Sequence, residues 1–344
     1  MPSPVKAMPR PTLKDVMLEA NETSEIIRRF EKCMPCLFGD CDEDPIRSHS
    51  QQREGALRSI ARDGKVYGVL SELRAYSKQV INCSNANPRI ALVGINEASV
   101  FYGYCNRHDT ELFKAIECGR SLERDNPEQV LALYRRAFSY LVYCITKEQF
   151  IWGSHADKSG NLNVEKDFLQ RRPKFYNIMC RFWPRMWRPD AEACLDWEWR
   201  IIEGNVGVSS VSFFPTLGSG DLGEFYRKHI DPATGRMTCP FPFVTFSLIP
   251  EEGRTHAIMI WDRLVSPMMG KLKRKMRAKD PIILSKAFND FVFVRNGDFF
   301  VNPDLWERLP ESEREKVGYA MRPAVFQDPS KIKVPHVIRF DRAL

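Results

Sequence analysis

Three short clusters in the first third of the chain carry the side chains best suited to chemistry. Cys33, Cys36 and Cys41 lie close together, His49 sits in the run Ser48, His49, Ser50, Gln51, Gln52, and two residues separate Cys105 from His108, with Asp109 next. Thiolate and imidazole are the donors Zn²⁺ prefers, and structural sites take them as pairs a few residues apart. Cys105 and His108 supply one pair. The other is Cys33 with Cys36 or Cys36 with Cys41, and the second is preferred because Cys41 lies nearer His49 and its loop holds Gly39 and Asp40. The expected ligands of a structural zinc ion are therefore Cys36, Cys41, Cys105 and His108, with Cys33 as the alternative.

The elements that must position these residues follow from periodicity and breakers. Residues 1–13 hold four prolines and read as a loose tail. A short helix capped by Thr12 and carrying Val16, Leu18, Ile26 and Ile27 precedes the cysteine loop, whose turn formers are Pro35, Gly39, Asp40 and Pro45. Ala56, Leu57 and Ile60 suggest a helix over 51–61 that stops near Gly64, with a strand from Lys65 to Leu70. Residues 71–90 are a polar excursion, and apolar segments at Ile90–Ile95 and Phe101–Tyr104 lead into Cys105. Beyond His108, Leu112, Phe113 and Ile116 form one helical face, with Asp109 and Thr110 at the helix start. A longer helix opens near Asn126, Pro127 and Glu128 and presents Val130, Leu133, Tyr134, Ala137, Phe138, Leu141, Val142 and Ile145.

Residues 153–163 are rich in Gly, Ser and Asn and read as a linker. Period-two segments then follow at Trp197–Ile202, Val208–Phe214, Val244–Ile249, His256–Trp261 and Phe291–Val294, with helices at 263–279, 282–289 and 312–321. The expected fold class is α+β. An amino-terminal zinc-stabilised module over 14–150 precedes a mainly antiparallel sheet domain with flanking helices over 164–344.

A Cys-x-x-His pair at the mouth of a helix has treble-clef geometry, and residues 33–117 resemble the HNH-type, or ββα-metal, endonucleases. The cysteine cluster stands for that family's first pair, His49 for its central histidine, and Cys105 with His108 for the second pair, histidine replacing a cysteine. The chain departs from the pattern in two ways: His49 and His108 are 59 positions apart, and Ser48 replaces the usual acidic residue. The resemblance implies phosphodiester hydrolysis. Neutral His49 would take a proton from water, while Mg²⁺ or Mn²⁺ held by Asp109 and Glu117 neutralises charge on the phosphate. The chain is also similar to an uncharacterised bacterial group with a Cys…Ser-His-Ser-x-Gln…Cys-x-x-His-Asp pattern, which implies no activity.

Charge is unevenly placed. Residues 1–150 carry 21 Lys and Arg against 20 Asp and Glu, which leaves +6 of the total +7 to the rest of the chain. Arg171, Arg172, Lys174, Arg185 and Arg188 alternate with aromatic residues, and Lys271, Lys273, Arg274 and Lys275 form the densest basic run. Such groups suit nucleic-acid backbones and stacked bases. Ten cysteines in 344 residues fall short of a disulfide scaffold, so Cys83, Cys118, Cys144, Cys180, Cys194 and Cys239 are expected to be small buried thiols. With no apolar run of about 18 residues and no signal-like amino terminus, the expected setting is cytoplasmic and off the membrane. A Gly-rich phosphate loop, a Gly-x-Ser-x-Gly elbow and a His-Glu-x-x-His motif are all absent from the sequence. The leading expectation is a metal-dependent nuclease, acting in bacterial defence by the resemblance. The alternative is a non-catalytic zinc-stabilised binding or sensor module with protein partners.

Overall fold

The computed structural model describes residues 25–38, 41–69, 90–117, 120–159, 186–188, 190–215, 228–229, 231, 243–295, 298–320 and 332–340. Expectations for 1–24, 71–89 and 160–185 lie outside them. The first helix, α1, spans 25–33 and buries Ile26, Ile27 and Phe30. After the cysteine loop come β1 (Arg47–His49), a wide turn (Arg53–Leu57) running into α2 (Arg58–Ile60), β2 (Lys65–Val69), β3 (Ile90–Gly94) and β4 (Val100–Tyr102). Next are α3 (Asn106–Phe113) and the 33-residue α4 (Pro127–Ser159).

The sheet strands β5 (Leu195–Glu203), β6 (Val208–Pro215), β7 (Phe243–Glu251) and β8 (Arg254–Asp262) follow. The chain closes with α5 (Gly270–Met276), α6 (Pro281–Asn289), β9 (Phe299–Val301), α7 (Pro303–Arg308) and α8 (Glu311–Ala320). Two of these helices start from a side-chain acceptor followed by proline: Asp280 accepts from the amides of Ile282 and Ile283, and Asn302 from that of Leu305.

The architecture is α+β. Seven antiparallel strands run in the order β3-β2-β9-β6-β7-β8-β5, while β1 and β4 pair separately. Strands from both expected segments thus share one sheet, because β2 pairs β9 as well as β3. The β7–β8 turn closes on Gly253 at φ +68°, a left-handed conformation glycine adopts without a Cβ clash.

Alternation along β7 and β8 splits the core. Phe243, Ile249, Ile258 and Ile260 pack beneath α4, where Val130, Tyr134, Phe138 and Val142 meet the cysteine-bearing loop and α3. On the other face Val244, Phe246, Leu248, Met259 and Trp261 meet Leu272, Met276, Leu284, Phe288 and Phe291. Both faces of the sheet are covered, so Phe243 to Pro250 are all buried.

Three expectations are corrected. Phe291–Val294 is no strand: it lies in a wide helical turn, Asp290–Val294, that continues α6. A short apolar run buried on all sides has no period that separates strand from helix. Residues 153–159 belong to α4 rather than to a linker, since an established helix runs through one glycine at a cost of about 1 kcal/mol. Helix α3 begins at Asn106, which places His108 inside its first turn.

Candidate metal centre

Two backbone hydrogen bonds fasten the cysteine loop to the strand that feeds α3. Leu37 N–H donates to Gly103 O at 2.8 Å and Ile46 N–H to Tyr104 O at 2.7 Å. These bonds bring together residues 66 and 58 positions apart, because β4 passes directly through Gly103 and Tyr104 to Cys105 at the cap of α3. Cys36, Cys41, Cys105 and His108 each present one ligand atom, and the four atoms lie within 4.8 Å of one another. Cys33 is exposed and is not among them.

The spacing can be tested against a tetrahedron. With Zn–S of about 2.3 Å and Zn–N of about 2.05 Å, edges should be about 3.8 Å between sulfurs and about 3.6 Å between sulfur and nitrogen. Cys41 Sγ and Cys105 Sγ are 3.9 Å apart, and His108 Nδ1 lies 3.4 Å from Cys36 Sγ and 3.3 Å from Cys105 Sγ. The residues fit a zinc ion.

The surroundings suit thiolates. Cys105 N–H donates to Cys36 Sγ at 3.3 Å, the outer-shell bond that steadies a ligating sulfur. Phe38 stacks on the His108 ring at 4.0 Å and closes that side. Packing pushes the Cys105 thiol up to about 12, even though the His108 amide opposes the shift. Without a cation Cys105 is held as the neutral thiol, and a dication would reverse that preference. All four donors come from the protein, so a bound ion would be coordinatively closed, as structural zinc is.

The fold and site define an α+β protein with a buried Cys₃His cluster able to hold a metal ion. The chain matches no family model, no curated protein and no solved structure.

Of the expected catalytic residues, Asp109 follows the donor His108 on α3. His49 ends β1, and its Nδ1–H donates to Ala98 O at 2.9 Å, with Ser99 Oγ at 3.3 Å. That bond fixes the tautomer with Nε2 unprotonated. Burial lowers the His49 pKa against the Ala98 bond, and the charges of Arg53, Arg136 and Arg47 lower it further. Burial raises the Asp109 carboxyl, while the Ser48 hydroxyl and Arg136 oppose the rise. Glu117 forms an ion pair with Arg136, whose guanidinium lies 4.5 Å over the Phe113 ring. A polar cleft lined by Ala115, Ser121, Asn126 and Gln129 among others does not include His49, Asp109 or Glu117.

Of the basic residues, Arg171, Arg172, Lys174 and Arg185 lie outside the described residues. Arg188 forms a two-bond pair with Asp190 at 3.0 and 3.1 Å. Lys273 sits 4.8 Å over Trp261 and Lys275 bonds Asp290 at 3.1 Å, whereas Lys271 and Arg274 are exposed. Half of the dense run is thus engaged in holding α5 to its neighbours. Among the described residues no helix is long and apolar enough to cross a membrane.

Sequence reasoning missed the network behind the Ser-His-Ser-Gln run. Ser50 Oγ donates to Asp298 Oδ2 at 2.7 Å, Gln51 Nε2 donates to Asp298 O at 3.3 Å, and Ser209 Oγ donates to Gln51 Oε1. Asp298 is buried, and burial pushes its carboxyl up to about 6 despite the Ser50 and Gln51 bonds. Arg136 was missed as well. Its only sequence signal was a cation on the apolar face of the best-defined helix.

Proposed function

We propose that the chain is a zinc-stabilised binding module, working with protein partners in a multi-component system, in which Cys36, Cys41, Cys105 and His108 hold a structural zinc ion in a treble-clef-like unit. One observation carries this reading: four buried or half-buried donors from two distant segments converge at tetrahedral spacing with no position left for substrate. The zinc supports folding by joining the cysteine loop to α3, and the sheet beneath supplies the rigid body of the module. The test is elemental analysis of the purified chain together with a nuclease assay on DNA and RNA in Mg²⁺ or Mn²⁺. One zinc per chain and no metal-dependent cleavage agree with the module. An absence of zinc sinks it.

A second reading, an HNH-like nuclease with nucleic acid as substrate, is favoured by His49. This imidazole ends β1, whose partner strand β4 leads to the ligand-bearing helix, and its Nε2 is kept free of a proton. A general base in such an enzyme needs that state. Cleavage that disappears in His49→Ala while zinc content is unchanged selects this reading over the first.

A further inference from the structure

The four donors of the metal centre are unequally shielded. Cys36, Cys105 and His108 are buried, whereas Cys41 is partly open to solvent on an irregular stretch of chain. Its sulfur stands 3.9 Å from Cys105 Sγ. Cys36 Sγ is otherwise engaged: it accepts from Cys105 N–H at 3.3 Å and lies 3.4 Å from His108 Nδ1. A further thiol, Cys33, is exposed at the end of α1 and stands outside the cluster.

We propose that the centre is a peroxide-sensitive switch, in which Cys41 is oxidised first and closes a disulfide onto Cys105, so that the metal ion is released. The proposal deepens the zinc-module reading and rests on it, since it concerns the regulation of the same four donors.

Access sets the order of events. Ligating sulfurs are thiolates, and among thiolates exposure decides which one an oxidant meets. Cys41 is the least shielded of the three ligand sulfurs. It attacks one peroxide oxygen; the O–O bond breaks, a sulfenic acid forms, and the departing hydroxide takes a proton to become water. The Cys105 thiolate then attacks the Cys41 sulfur. The S–S bond forms as the S–O bond breaks, and the second hydroxide leaves as water in the same way. Two thiolates thus give up two electrons, and one hydrogen peroxide with two protons becomes two waters. The sulfurs must close from 3.9 Å to the about 2.05 Å of a disulfide, a movement that falls to the loop carrying Cys41 because Cys105 is fixed at the cap of α3. Cys36 and His108 then remain as two donors where structural zinc takes four, and the ion is lost.

The test treats zinc-loaded wild type and Cys33→Ser with stoichiometric hydrogen peroxide. Freed zinc is followed with a chromogenic chelator, and disulfides are mapped by mass spectrometry after free thiols are blocked. Both chains should release one zinc for each Cys41–Cys105 disulfide at the same rate, and a dithiol reductant with added Zn²⁺ should restore the zinc-bound form. Zinc that stays bound while Cys33 is oxidised overturns the proposal. So does release without a disulfide, release with a disulfide through Cys33 or Cys36, or release that is slowed in Cys33→Ser. A wild-type chain that takes no zinc even when Zn²⁺ is supplied removes the metal centre and the switch together, whereas a chain that keeps its zinc under peroxide removes the switch alone.

Discussion

Asp298 gives a prediction whose size can be worked from the structure. Its carboxyl lies beside Ser50 and Gln51, and burial pushes it up from the ordinary 3.8 to about 6. A carboxyl raised in the folded state costs nothing below its unfolded pKa, where both states are protonated. As pH rises from 3.8 through 6, the unfolded chain releases its proton first, and stability falls by up to about 1.36 kcal/mol per pH unit. The penalty is about 2 kcal/mol at pH 5 and levels off at about 3 kcal/mol by pH 8.

Asp298→Asn keeps an acceptor for Ser50 Oγ but cannot ionise. Whatever its offset from wild type, the stability difference should therefore move in the variant's favour by about 1 kcal/mol between pH 5 and pH 8. Urea unfolding of both proteins at the two pH values, with zinc content held equal, measures it. Comparing two chains at each pH cancels the other titrating groups. A difference that stays constant within error refutes the claim that Asp298 is a buried acid of raised pKa.

Other perturbations follow from the same geometry. Cys105→Ser should lose zinc and melt the amino-terminal region, because structural zinc contributes about 10–16 kcal/mol, as much as the whole stability of a domain. Cys33→Ser should keep one zinc per chain, as metal analysis would show, since Cys33 is exposed and outside the cluster. Gly68→Ala should cost about 1–3 kcal/mol in a thermal melt. A Cβ there would come within 2.5 Å of the Phe300 ring on the neighbouring strand, where β2 and β9 are locked in register.

What could be read from the chain was local. Cys36, Cys41, Cys105 and His108 are zinc-type donors at loop-scale spacing, so donor type and spacing suggested the group, with Cys33 left as an alternative, and the stripe from Val130 to Val142 announced α4. Where partners lie far apart in the chain, nothing local marks them. Ser50 and Asp298 are 248 positions apart, and neither is unusual by itself. Strand β9 escaped notice because three residues are too few to show a period, yet it sits in mid-sheet between β2 and β6. The basic run on α5 was legible as charge but not as contacts: the neighbours that engage Lys273 and Lys275, Trp261 and Asp290, come from other elements.

His49 itself suits both functional readings, and the difference lies in what surrounds it. Ser99 holds a positive φ of 58°, a costly conformation for a residue with a Cβ. From there its carbonyl accepts from Ser50 N–H at 2.8 Å while its hydroxyl faces His49 Nδ1. Such strain persists only where neighbouring bonds over-determine it, so the imidazole has a fixed orientation. A fixed, neutral imidazole can act as a base or simply hold β1 to the residues that lead into β4. Arg136, buried on α4 and paired with Glu117, adds a positive charge that lowers the pKa of this imidazole further, after burial and Arg53.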